Sequence, residues 1–211
     1  SAINRGHNFI CSFDCWNIVT NTHWWWIRHA KSSGDPAIIH GQDDVDADLS
    51  DLESIASLKQ RLPEKAIWLT SGIKRSNQTA DAIGAKNFIE IPGLMEQDFG
   101  DWTGKRWIDL KGDSVRKFWL NFITEKPPGG ESFIQMIDRV SDTINTLSRE
   151  YENKNIVAIA HSGTIKAALA NALNLFGQSA SSFQIDNLSL TEIEIIPDGV
   201  HRNWNVIGVN R

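Results

Sequence analysis

The chain has 211 residues, 41% hydrophobic and 22% charged, which is the mix of one globular domain with a sizeable core. A net charge of −5 excludes the broad basic footprint of a nucleic-acid binder, while a local cationic pocket for a phosphate still fits an acidic whole. No apolar run is long enough to cross a bilayer, and residues 1–23 lack the basic start, apolar middle and cleavage site of a secretory signal. A cytoplasmic protein without a membrane or nucleic-acid partner is therefore expected.

Residues 1–22 read as an appendage ahead of a domain spanning 23–211. Phe9, Cys11, Phe13 and Cys15 alternate with Ile10, Ser12 and Asp14, a weak strand pattern compatible with an edge element or a homodimer contact. In an extended segment Cys11 and Cys15 lie roughly 13 Å apart, too far for a disulfide, so free thiols are expected. With His7 and His23 they offer four metal ligands, but the spacings match no common zinc module, and no metal is expected.

From His23 onward, strand and helix patterns alternate. His23–Arg28 reads as a strand, and Ser50 with Glu53 resembles a capping box opening a helix towards Leu62. Ala66–Thr70 reads as a strand, residues 74–85 as a helix and 87–91 as a short strand. An amphipathic helix is predicted over about 131–150, where Phe133, Ile137, Val140, Ile144 and Leu147 recur at helical spacing. Asn155–Ala160 is the next strand and Gly163–Leu175 the next helix, with closing strands over 181–196 and 203–209. Such alternation predicts a three-layer α/β/α sandwich with a mostly parallel central sheet.

Three strand ends carry chemistry. His23–Arg28 leads into Arg28-His29-Ala30, Ala66–Thr70 into a first helical turn with Arg75, and Asn155–Ala160 into His161-Ser162-Gly163. In open α/β sheets such ends feed one crevice. Two guanidiniums can grip phosphate oxygens bidentately, and the helix after His161 adds backbone N–H groups. One histidine at a strand end is more often structural than catalytic. Three matching ends point to a phosphate site.

Arg28-His29-Ala30 resembles the Arg-His-Gly signature of the histidine phosphatase superfamily, in its phosphoglycerate-mutase-like branch. The resemblance continues through Ser71-Gly72-Ile73-Lys74-Arg75-Ser76-Asn77-Gln78-Thr79-Ala80, then Leu94-Met95-Glu96-Gln97-Asp98-Phe99-Gly100-Asp101-Trp102-Thr103-Gly104. Pro128-Gly129-Gly130-Glu131-Ser132 and His161-Ser162-Gly163 complete it, in family order across residues 24–211. It implies a phosphoglycerate-mutase-like fold and a metal-independent enzyme that needs no cofactor. His29 would be the nucleophile and become a phosphohistidine, with Arg28 and Arg75 holding the phosphoryl group and His161 stabilising its charge. Ser162 would add a phosphate contact. Glu96 would protonate the leaving alcohol and then activate water. Without the family, Glu96 reads as a solvated loop carboxylate.

Departures from the pattern matter too. Ala30 stands where the family usually has glycine, so its backbone must avoid positive φ. Asp35 falls where many members carry an asparagine near the phosphate; a carboxylate there must turn away. Ser32 and Gln42 are expected near the substrate. The segment between Gln97 and Pro127 is too short for the large lid of the mutases, and Trp102, Trp107, Phe118, Trp119 and Phe122 suit a small helical cap over about 102–127. The expected activity is hydrolysis of a small phosphorylated metabolite. A mutase-type phosphotransferase and a non-catalytic phosphate-recognising module are the alternatives, and retention of His29 and Glu96 argues against the latter.

Overall fold

A computed structural model describes residues 21–197 and 202–211. The strand expected over residues 9–15, both cysteines and His7 lie outside the described residues. Strand β1 (Thr22–Arg28) is built from aromatic and β-branched residues whose faces alternate. Trp24 and Trp26 share one face and stack at 4.7 Å, while Trp25 lies on the other, stacked on His23 at 4.4 Å. Both tryptophans of the first face are buried, and the Trp24 indole N–H donates to Ser148 Oγ at 2.9 Å.

The following elements are α1 (Leu52–Arg61), β2 (Ile67–Thr70), α2 (Lys74–Ile83), β3 (Ile89–Glu90), α3 (Asp113–Leu120) and α4 (Phe133–Glu150). Then come β4 (Asn155–Ala160), α5 (Ser162–Leu173), α6 (Gly177–Ser181), β5 (Leu190–Pro197) and β6 (Arg202–Gly208). The start of α1 corrects the expected Ser50–Glu53 box. Asp51 is the cap, its carboxylate accepting from Ser54 N at 3.0 Å, and a carboxylate there also meets the positive end of the helix dipole. The capping box lies instead at α4, where Ser132 and Gln135 bond each other's backbone N–H groups. Helix α5 stops at Asn174, which adopts the left-handed conformation, so the predicted helix to Leu175 ends early. The short α6 was hidden in the polar stretch before β5, and that strand starts only at Leu190.

The six strands lie in the order β3-β2-β4-β1-β5-β6. The first four run parallel, and β5 and β6 add an antiparallel pair at one side. Helices α1 and α2 pack on Trp25, Ile27, Val157 and Ile159. Helices α4 and α5 cover the other face, against Trp24, Trp26, Ile156 and Ala158. The expected three-layer sandwich is thus realised, with burial of each large apolar side chain contributing roughly 1.5–3 kcal/mol.

Between Gln97 and Pro127 the chain forms 3-10 turns at Gly100–Trp102 and Trp107–Asp109 and then α3. Ile39, Trp102 and Phe118 form a small apolar cluster there, with Phe99 and Trp107 packed against it. No described helix is long and apolar enough to cross a membrane.

Candidate active site

Strand β4 lies between β1 and β2, so the C-terminal ends of three neighbouring strands open at one edge. His29 N donates to Ala160 O at 3.0 Å, extending the β1–β4 pairing to the histidine itself. Its carbonyl accepts from Asn187 Nδ2 at 2.8 Å, and Ala30 N donates to Thr79 Oγ1 at 3.0 Å. Ala30 is fully buried and is not among the residues with positive φ, which is why alanine is tolerated where the family uses glycine.

The hydrogen bonds fix the proton positions. His29 Nδ1 faces Ala30 O at 2.6 Å, and a carbonyl only accepts, so Nδ1 carries the proton. Nε2 keeps its lone pair and accepts from Arg75 Nε at 3.2 Å. Arg75 is buried at the start of α2 and also donates to Asp43 O at 2.7 Å and Gly41 O at 2.6 Å. Gly41 has φ +48, and a β-carbon there would lie 3.2 Å from Gln97 O, so glycine is needed to aim that carbonyl.

His161 is wholly buried at the end of β4. Its Nδ1 accepts from Arg75 at 3.3 Å, and its ring centroid is 4.9 Å from that of His29. On its other side a hydroxyl chain runs in one direction. Ser76 Oγ donates to Ile73 O at 2.7 Å, so Ser71 Oγ donates to Ser76 at 2.8 Å and accepts from His161 Nε2 at 2.8 Å. Burial is the largest cause holding His29 down to about 3, followed by the positive Arg75. Burial also holds His161 well below the usual imidazole value, aided by His29 and Arg75. Both rings are therefore neutral at physiological pH.

Arg28 donates to Ile185 O at 2.6 Å, while its buried Nε has no partner among the described residues. Glu96 sits opposite on the loop after β3. Its carboxylate accepts from Gln97 N at 2.9 Å and Gly163 N at 3.2 Å, and a β-carbon at 163 would lie 2.2 Å from Glu96 Oε1. That close approach explains the glycine of His161-Ser162-Gly163. Arg139 on α4 clamps the same loop: it pairs with both oxygens of Glu131 and donates to the carbonyls of Gly93, Met95 and Glu96.

These groups border one cavity of about 300 Å³. Its wall includes Arg28, His29, Ser32, Arg75 and Glu96, together with His40, Ile38, Phe99 and Trp107. His161 stands behind this wall, in contact with Arg75. Ser162 opens α5 and does not line the cavity. Gln42 is also off the wall, its side-chain amide donating to Glu96 O at 2.9 Å, which makes it a support of the loop that carries Glu96. Asp35 does turn away, accepting from Ala37 N at 2.9 Å. Sequence reasoning missed His40, the Ser71–Ser76 relay, Asn187 and the Arg139–Glu131 clamp. Ser71, Ser76 and Glu131 lay inside quoted motifs and Arg139 eight residues beyond Glu131. Asn187 gave no local signal.

The profile of the histidine phosphatase superfamily (branch 1) matches residues 24–207. The chain belongs to this superfamily. A metal-independent phosphoserine phosphatase of Arabidopsis thaliana is 24% identical over 182 residues, covering 80% of this chain and 74% of that protein. Phosphoserine phosphatase 1 of Hydrogenobacter thermophilus is 27% identical over 183 residues, covering 80% and 84%. The crystal structure of the alpha-ribazole phosphatase from Shigella flexneri superposes with a TM-score of 0.80 at 22% identity, covering 90% of this chain and 96% of that one. This histidine phosphatase thus shares its fold with relatives named for more than one substrate.

Proposed function

We propose that the protein hydrolyses a small phosphomonoester through a phosphohistidine on His29. The carrying observation is the fixed lone pair of Nε2, with Nδ1–H held by Ala30 O and the Arg75 guanidinium 3.2 Å away. Phosphate oxygens would exchange with the bonds that Arg75 makes to the two histidines and take up the unused Nε of Arg28. Nε2 attacks phosphorus, the P–O ester bond breaks, and the leaving oxygen takes a proton from Glu96. Water then attacks phosphorus, gives its proton to Glu96, and releases inorganic phosphate and neutral His29. Once phosphate has drawn Arg75 away from His161, the dianion favours a proton on Nδ1, and the imidazolium so formed donates to the phosphoryl oxygens while Nε2–H stays on Ser71 Oγ.

No metal is required, because two guanidiniums supply the charge that a cation would otherwise bring. The short segment from Gln97 to Pro127, with α3 its only α-helix, favours water over a second sugar- or acid-bound hydroxyl as acceptor. A cavity of about 300 Å³ lies at the small end of ligand sites, which suits a small phosphorylated metabolite; the cytoplasmic setting expected from the sequence is kept with it. The homodimer expected from the sequence is kept as part of the proposal, and light scattering tests it.

The test is hydrolysis of p-nitrophenyl phosphate in excess chelator, with His29→Ala beside the wild type. Activity that survives chelator and disappears in the variant is expected. Activity lost to chelator, or retained without His29, would overturn the mechanism.

A further inference from the structure

One ring on the cavity wall has no assigned work. His40 borders the same space as His29, and both its Nδ1 and Nε2 are buried without a hydrogen-bond partner among the described residues. Buried polar atoms in native structures are almost always paired, so an unpaired pair in a cavity wall marks a place where a ligand group belongs. The ring's seat is specific. Gly34 passes so close that a β-carbon there would lie 3.0 Å from His40 Cε1 and 3.3 Å from Nε2.

The charge balance of the cavity indicates what the ring meets. Arg28 and Arg75 bring two positive charges, which a phosphate dianion cancels. Glu96, when it acts as acid, is neutral. A substrate carboxylate would find no further lysine or arginine on the wall among the described residues, since Lys166 is turned to Ser181 O at 3.0 Å and does not line the cavity. A neutral imidazole offers one donor and one acceptor. A hydroxyl offers the same pair, and Ile38, Phe99 and Trp107 provide an apolar surface for the carbons that carry it.

We propose that His40 is the specificity-determining residue of this phosphatase and that it reads a hydroxyl on the carbon skeleton of the ester. The substrate class is then a phosphorylated polyol or sugar, in preference to a phosphorylated amino acid. This inference rests on the phosphomonoesterase reading above.

The experiment compares kcat/KM for sn-glycerol 3-phosphate, ribose 5-phosphate, propyl phosphate and O-phosphoserine in wild type, His40→Leu and Gly34→Ala. The quantity read is the ratio of each hydroxyl-bearing ester to propyl phosphate. That ratio should be about 10 to 100 in the wild type, as expected for one buried hydrogen-bonded hydroxyl. His40→Leu should bring it close to 1, and Gly34→Ala, which crowds the ring without removing it, should lower it part of the way. A ratio unchanged by His40→Leu overturns the proposal, as does a His40-dependent preference for phosphoserine. Binding of the same esters to His29→Ala, with and without His40→Leu, separates the two readings by calorimetry. If turnover is absent throughout but the binding ratio still depends on His40, the phosphatase reading fails and the hydroxyl site stands. If turnover depends on His29 and neither ratio moves, the reverse holds.

Discussion

The phosphate end of the cavity is made of strand ends and a helix start, and nearly every polar atom in it has a partner whose direction of donation is fixed. The leaving-group end is made of loops, 3-10 turns and aromatic rings. At the first end Arg75 alone spends its guanidinium on two backbone carbonyls and two imidazoles. At the second, His40 has no hydrogen-bond partner among the described residues, and Phe99 and Trp107 pack edge to face at 5.5 Å. On the proposed mechanism, the groups that meet every phosphoester are locked by the sheet, where a misplaced charge would be costly. Groups that meet one particular alcohol sit on segments that can vary without disturbing the sheet.

If that division is right, substitutions at the two ends fail in different ways. His29→Ala should lose turnover by at least about 10³-fold for every ester, with a melting temperature close to wild type. Arg75→Met should cost about 10²- to 10³-fold, again for all substrates, and inorganic phosphate should lose its power to inhibit. Glu96→Gln should slow alkyl phosphates about 10²-fold and p-nitrophenyl phosphate much less, because a good leaving group needs little protonation. A flat dependence on leaving group would remove Glu96 from the acid role. Trp107→Ala should change KM by a few-fold at most, and only among esters that differ in their alcohol.

The locked end also carries a pH signature. His29 is held at about 3 and His161 well below the usual value, each chiefly by burial, whereas both bind protons near pH 6.5 once unfolded. The unfolded chain therefore holds more protons between those limits, and stability rises with pH across that window. Their contribution is complete above about pH 7 and lost as pH falls through 6.5 towards 3. Melting temperatures measured from pH 7.5 down to 4.5 should decline, and less steeply in His29→Ala. Identical slopes in the two proteins would show that the histidine is not the cause.

Much of the locked end was legible in the sequence, because strand ends are short, apolar and followed by small residues. Asn155–Ala160 agrees with its predicted bounds, and Arg28, His29, Arg75 and His161 do converge. What escaped notice depends on contacts distant in the chain. Asn187 reaches His29 O across 158 positions, and Arg139 reaches the acid loop across more than 40. His40 drew no notice in the sequence, whereas Gln42 was expected near substrate. The side chain of Gln42 turned instead to the Glu96 carbonyl, and its neighbour two positions earlier took the wall. Local pattern fixes which residues lie at a strand end, but not which member of a loop turns inward.

The loop before β5 has a consequence for how the protein comes into being. Ile185 O receives Arg28, Leu188 N and Ser189 O bond the Arg28 backbone, and Asn187 holds the carbonyl of His29. None of these four residues is on the cavity wall, yet they fasten the segment that carries Arg28 and His29. During synthesis, domains take shape as the chain emerges from its N-terminal side. Arg28 and His29 are among the earliest residues of the domain, and their supports are among the latest. A nascent chain that already contains every group of the proposed phosphate site thus lacks these fastenings of Arg28 and His29 until residues 185–190 have been made and docked.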